Sequence, residues 1–156
     1  MLERPQEYEK MAAVERDHWW YRQLHRLVQR ALVQAAVPAD AALLDAGCGT
    51  GGLMLFLREN GWRNVRGIDL APAAVSVCRQ RGLDVQAGDL RSLATRGTDA
   101  AFDVVVSNDT LYFFDSDEQR RVIDGFAHVL RPGGLLVCNV PALPAFRGRH
   151  DLGVGI

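Results

Sequence analysis

The sequence is short of several things that would place it in a class at once. Lysine is nearly missing: Lys10 is the only one, and the other basic residues are scattered arginines. With 18 basic and 19 acidic residues the formal net charge is −1, which argues against a nucleic-acid footprint. Cysteine is limited to Cys48, Cys78 and Cys138, an odd number with no CxxC pair. That argues against a disulfide framework and a structural zinc site, so no metal is expected. No apolar run is long enough to cross a bilayer, and Met1 to Glu7 is charged where a signal peptide has its apolar core. A cytoplasmic location with no membrane partner is the expectation. No catalytic triad or metal-binding motif stands out.

What is present is alternation. The chain has 156 residues, which allows one domain with a real core. Pro5 to about Ala36 reads as helix in two pieces, broken near Asp17-His18, and Val37-Pro38-Ala39-Asp40 ends the pattern. Apolar runs suited to buried strands follow at Ala42–Ala46, Val65–Leu70, Leu83–Gln86, Phe102–Ser107 and Leu135–Val140. Between them lie helical segments. One opens at Leu53 and stops at Asn60-Gly61; one opens at Pro72 and runs to about Gly82. Another opens at Ser116, with Ser116 to Gln119 fitting a capping box. It carries Val122, Ile123, Phe126, Val129 and Leu130 on one face and stops at Arg131-Pro132-Gly133-Gly134. Single helices between strands imply an open, doubly wound parallel sheet that binds ligands at the strands' carboxyl ends.

The residues at those ends are informative. Leu43-Leu44 runs into Asp45, and then Gly47, Gly49, Gly51 and Gly52 fall within six residues. Only glycine leaves room for backbone to come so close to a ligand. Asp69 closes the second strand, Gly88-Asp89 follows the third, and Asn108-Asp109 the fourth. The glycine loop and Asp69 alone fit a nicotinamide enzyme as well as a nucleoside-binding one. Asp45 and Asp89 shift the balance, because a carboxylate beside the loop opposes a pyrophosphate. S-adenosylmethionine has no phosphate and carries a sulfonium and an ammonium, which suit an acidic edge.

The segments Leu44-Asp45-Ala46-Gly47-Cys48-Gly49-Thr50-Gly51, Gly67-Ile68-Asp69-Leu70, Gly88-Asp89-Leu90, Phe102 to Asn108 and Leu130-Arg131-Pro132-Gly133-Gly134 occur in this order. In sequence and spacing the chain resembles the class I S-adenosylmethionine-dependent methyltransferases over about residues 40–140. The resemblance implies a Rossmann-like fold of about five strands, the family's last two strands missing, with an N-terminal helical lid. It implies S-adenosyl-L-methionine as cofactor and S-adenosyl-L-homocysteine as product. Asp45, Gly47, Cys48, Gly49 and Gly51 would border the methionine part. Asp69 would hold the ribose, Leu70 the adenine face, and Asp89 and Leu90 the adenine edge. Asn108 would lie near the methionine and the acceptor entrance.

Residues 1–38 are expected to form the lid and 39–156 the core, incomplete at its end. Trp19-Trp20-Tyr21 is either a patch that docks the first helices on the core or a lid over the cofactor. Glu15 to Trp20 has the Glu-x-x-His-Trp-Trp form of one branch of the family, in which Arg22 would reach the cofactor carboxylate. The candidates for acid–base chemistry are Asp109 and His150; the histidines are otherwise expected at the surface or as caps. Cys48 is assigned no nucleophilic role. Pro141 to Ile156 is too short for the family's closing helix and strands, which leaves the fifth strand as an apolar edge open to homodimer pairing. Three functions follow: methyl transfer to a small-molecule acceptor, non-catalytic cofactor binding, or an NAD-dependent oxidoreductase.

Overall fold

The computed structural model describes residues 5–95 and 101–140. Two helices come first, α1 (Pro5–Val14) and α2 (Trp19–Gln34). Five strands and three further helices follow: β1 (Leu43–Ala46), α3 (Gly52–Glu59), β2 (Val65–Asp69), α4 (Pro72–Gln80), β3 (Asp84–Ala87), β4 (Phe102–Asn108), α5 (Ser116–Val129) and β5 (Leu130–Asn139). The sheet order is β3-β2-β1-β4-β5, with every neighbouring pair parallel. This is the expected doubly wound α/β architecture.

The central strand explains the layering. β1 is buried along its whole length. Leu44 and Ala46 enter one layer with Val105, Val122, Phe126 and Val129. Leu43 enters the other with Val104, Val106, Val28, Leu32, Leu53 and Leu57. Successive strand side chains point to opposite faces, so a strand buried on both needs an unbroken apolar run. The chain leaves β1 toward β2 on one side and returns to β4 on the other. The crevice of the site therefore opens between the carboxyl ends of β1 and β4.

Several expectations are corrected. The cap of α5 is Asp115, not Ser116: its carboxylate accepts from the Asp117 and Glu118 backbone N–H groups, and Glu118 reaches back to Asp115 N. Both residues fit the motif, but an ionised acceptor suits the positive end of the helix better than a hydroxyl. Ile123 lies outside the apolar face at 44% exposure, while Val122, Phe126 and Val129 are fully buried. β3 starts one residue late because Leu83 turns inward against Cys48, Met54 and Cys78. β5 starts five residues early: Leu130 pairs with Phe102, and the register shifts before Val104 meets Leu135. The Arg131 to Gly134 segment is thus an irregularity within a strand rather than a turn.

The tryptophans are not buried in the contact between α2 and the core. Trp19 is 66% exposed and Trp20 40%. α2 is held instead by Leu24, His25, Val28 and Leu32. His25, expected at the surface, is buried against the Phe56 ring with centroids 5.4 Å apart. His18 caps α2 as expected, its Nδ1 accepting from Trp20 N. Short 3₁₀ turns at Leu90–Thr95 and Leu111–Phe113 were not expected. Residues 141–156, including His150, lie outside the described residues, and β5 is the outer strand of the described sheet. Among the described residues no helix is long and apolar enough to cross a membrane.

Candidate functional site

The turn after β1 is built by its glycines. Gly47 has φ +83°, and a β-carbon there would lie 2.4 Å from Thr110 Oγ1. Gly51, with φ +86°, begins α3 as its N-cap, and a side chain there would meet Leu83 Cδ1 at 2.3 Å. Neither position has the space or the backbone conformation for another residue. Gly47 N and Cys48 N both donate to Ile68 O, at 2.9 and 3.1 Å, which ties the loop to β2.

Asp69, at the end of β2, fixes the loop from the other side. Its Oδ2 accepts from Gly49 N and its Oδ1 from Ala71 N, each at 2.9 Å. Burial raises its pKa, and backbone hydrogen bonds from Ala71, Gly49 and Leu70 oppose that rise. Asp45 has no such help. It is 4% exposed. Burial, then the charges of Asp69 and Glu15, push its pKa up to about 7. A buried carboxylate of this kind takes its charged form more readily when a cation lies beside it.

The other sequence-selected residues lie on the same edge. Gly88 N donates to Asp69 O at 2.9 Å, which brings the turn after β3 beside β2. Asp89 is gripped by Arg91: Arg91 Nε lies 3.0 and 2.9 Å from the two carboxylate oxygens, Nη2 lies 2.6 Å from Oδ2, and Arg91 N donates to Oδ1. Arg91 also reaches Glu118, at 2.5 Å. Asp89 is therefore already partnered, a pairing that no motif signals. Leu90 is buried and Leu70 is exposed. Asn108 Oδ1 accepts from Asn139 Nδ2 at 2.6 Å. The Cys48 thiol points at Gly49 O and is raised in pKa by its hydrogen bond to Cys78 and by burial. Cys78 donates to the same carbonyl at 3.2 Å, so these thiols pack the loop from beneath.

Asp109 follows β4 with φ +48°, and its N–H donates to Asn139 O. Its Oδ2 accepts from Trp20 Nε1 at 3.2 Å, so α2 does reach over the edge. Tyr21 is close enough to Glu15 and Asp109 for both charges to raise its pKa, after burial. Arg22 is exposed in the first turn of α2. Among the described residues no group of three or more His, Cys, Asp or Glu could hold a metal.

What the sequence missed is α1. Glu15, 5% exposed, accepts from Thr50 Oγ1 in the glycine loop at 2.6 Å and pairs with Arg81. Arg81 also donates to Thr50 O and Ala12 O, each at 2.8 Å. Met11 Cε would be 2.9 Å from a β-carbon on Gly49. Tyr8 packs on Ala71 and Ala74, and burial and then Asp69 raise its pKa. The sequence signal for this was Glu15 itself, an acid just past a mostly polar helix and the first residue of the Glu-x-x-His-Trp-Trp stretch.

Comparison with known proteins agrees with the fold. Residues 43–134 match a family described as "Methyltransferase domain". The chain is 36% identical over 108 residues to "Probable tRNA methyltransferase 9B" of Mus musculus, covering 69% of this chain and 23% of that protein. It is 34% identical over 121 residues to "Cypemycin N-terminal methyltransferase" of Streptomyces sp, covering 72% and 48%. Among solved structures it is similar to SAM-bound CalS10, an amino pentose methyltransferase from Micromonospora echinaspora. That match has a TM-score of 0.69 and 30% identity, and covers 88% of this chain and 57% of the other. The chain spans half or less of the length of these curated relatives.

Proposed function

The chain belongs to the methyltransferase-domain family, and on that footing we propose that it binds S-adenosylmethionine along the carboxyl edge of its sheet and transfers the methyl group to a small-molecule acceptor. The observation that carries this reading is Asp45. A buried carboxylate with a pKa near 7 beside a glycine loop is poorly suited to a pyrophosphate and well suited to an ammonium.

In this reading Gly47, Gly49 and Gly51 let the methionine part lie against bare backbone, and Asp45 receives its ammonium. Cys48 fills the space beneath the loop. Asp69 accepts from the ribose hydroxyls on the lone pairs that Gly49 and Ala71 leave free. Leu70, exposed at 42%, offers a face to the adenine, and Leu90 and the Asp89 turn border its edge. Asn108 lies at the acceptor entrance, and residues 1–38 act as a lid.

The bound cofactor supplies an activated methyl on a positively charged sulfur. The protein's part is alignment and exclusion of water. That economy fits a site with no triad. Calorimetric titration with S-adenosylmethionine, S-adenosylhomocysteine and NAD tests the reading. The first two should bind and NAD should not; tighter binding of NAD would reverse the assignment.

A further inference from the structure

Asp109 stands where three elements meet. It follows β4, next to Thr110, which packs against Gly47 at the start of the glycine loop. From above, Trp20 of α2 donates its indole N–H to Asp109 Oδ2. Tyr21 lies within electrostatic reach of the same carboxylate. The crevice between β1 and β4 is the place in such sheets where ligands bind. Resting on the cofactor reading above, we propose that Asp109, aimed by Trp20, receives the methyl acceptor, and that the acceptor presents an amine.

The argument is about where charge goes. In methyl transfer to a free-base amine, the nitrogen lone pair forms the new N–C bond as the S–C bond breaks, and sulfur keeps the bonding pair. One positive charge leaves sulfur and appears on nitrogen. A carboxylate beside the nitrogen is more favourable in that transition state than before it. An oxygen acceptor reacts best as an anion, and a carboxylate beside it opposes forming that anion.

The cations near the edge point the same way. Arg81 is committed to Glu15, Thr50 O and Ala12 O. Arg91 is committed to Asp89 and Glu118. Neither of these two arginines is available to pair with an anionic acceptor, and Arg22, next to Tyr21 on α2, is the exposed arginine nearest to Trp20 in sequence. The partly exposed Trp20 ring and the adjacent Tyr21 offer aromatic surface, which favours a cation over an anion.

The test uses three probes that share one skeleton: benzylamine, benzyl alcohol and benzoate. Each is titrated into the protein saturated with S-adenosylhomocysteine, which leaves the acceptor side open without turnover. Benzylamine should bind about tenfold or more tightly than either of the others, the size expected of one charge-assisted contact. Asp109→Asn should remove that preference and leave S-adenosylhomocysteine affinity within about twofold. Trp20→Phe keeps the ring but removes the N–H, and should reduce the preference in part. Equal or tighter binding of the alcohol or benzoate overturns the proposal, as does binding of none of the three. A preference that survives in Asp109→Asn overturns it too. Loss of S-adenosylhomocysteine binding by the unmodified protein would instead overturn the cofactor reading beneath it.

Discussion

Glu15, the residue that follows α1, accepts a 2.6 Å hydrogen bond from Thr50, which lies inside the glycine loop 35 residues further along the chain. The same carboxylate pairs with Arg81 after α4. A helix that looks peripheral in sequence is thus bonded to the loop at the centre of the proposed site. Glu15→Ala should cost about 3–5 kcal/mol, because it leaves a partly buried guanidinium and a buried hydroxyl without their acceptor. Replacing both partners, Glu15→Met with Arg81→Leu, should cost clearly less. Urea denaturation of the two variants makes the comparison; a single substitution as mild as the double would show that the pair carries little of the contact.

Asp45 should make cofactor affinity depend on pH. In the folded chain it holds its proton up to about pH 7, against 3.8 for the ordinary group. An ammonium ligand needs the ionised form, so binding should tighten as pH rises through about 7, with release of a proton. Stability moves the other way. A raised carboxyl pKa stabilises the fold below the unfolded value, and that contribution is lost as pH rises through the folded one. Asp45→Asn should therefore raise the melting temperature of the ligand-free protein at about pH 8 while weakening cofactor binding there. Calorimetry in buffers of different ionisation enthalpy counts the proton, and a pH-independent affinity would contradict the pairing.

Asp69 holds the loop through Gly49 N and Ala71 N, and in the proposed function it also holds the ribose. Asp69→Ala removes every one of these acceptors. Affinity for S-adenosylhomocysteine should fall by about one to three orders of magnitude, the equivalent of one or two charge-assisted hydrogen bonds. Asp69→Asn, which keeps one carbonyl acceptor, should lose less. Unchanged affinity in the Ala variant would remove Asp69 from the site.

His25 gives the fold an acid limit. Burial against α3 lowers its pKa from 6.5 to about 4. The unfolded chain takes up that proton at a pH where the folded chain refuses it. The contribution is therefore complete above the unfolded value, and is lost as pH falls from 6.5 toward 4. The shift corresponds to about 3 kcal/mol. His25→Leu should flatten this acid slope. Because Asp45 titrates in an overlapping window with opposite sign, the measurement is the difference between His25→Leu and the parent across pH, not the parent curve alone. Parallel curves would count against a neutral buried His25.

The sheet and the glycine turn at its edge were legible because they rest on local rules. Leu43-Leu44 and Phe102 to Ser107 are unbroken apolar runs, and Gly47 and Gly51 stand where only glycine fits. The cap of α5 was displaced by one residue because Asp115 and Ser116 both satisfy the same motif, and only the acceptor's charge separates them. The role of α1 was hidden for a different reason. Its buried contacts come from Tyr8 and, just past its end, from Glu15, which reads as polar surface until Arg81 and Thr50 are brought beside it. The Arg91 grip on Asp89 was hidden too, since a residue two positions away gives no hint that its side chain turns back. Trp19-Trp20 left docking and lid equally open in the sequence; in the structure both rings are partly exposed, Trp20 bonds to Asp109, and smaller residues hold α2.

The Glu15 contacts also bear on the order in which the chain can fold as it is made. Thr50 lies 35 residues beyond Glu15, and Arg81 lies 66 beyond it. A growing chain emerges from its N-terminal end, so α1 is synthesised well before either partner exists. Until Arg81 has left the ribosome, burying Glu15 would strand a carboxylate away from water, and α1 gains nothing by settling early. Its polar composition lets it wait in solvent. The helix that precedes the sheet in sequence therefore has both partners of Glu15 only once Arg81 has been made, while β3, β4 and β5 are still to follow.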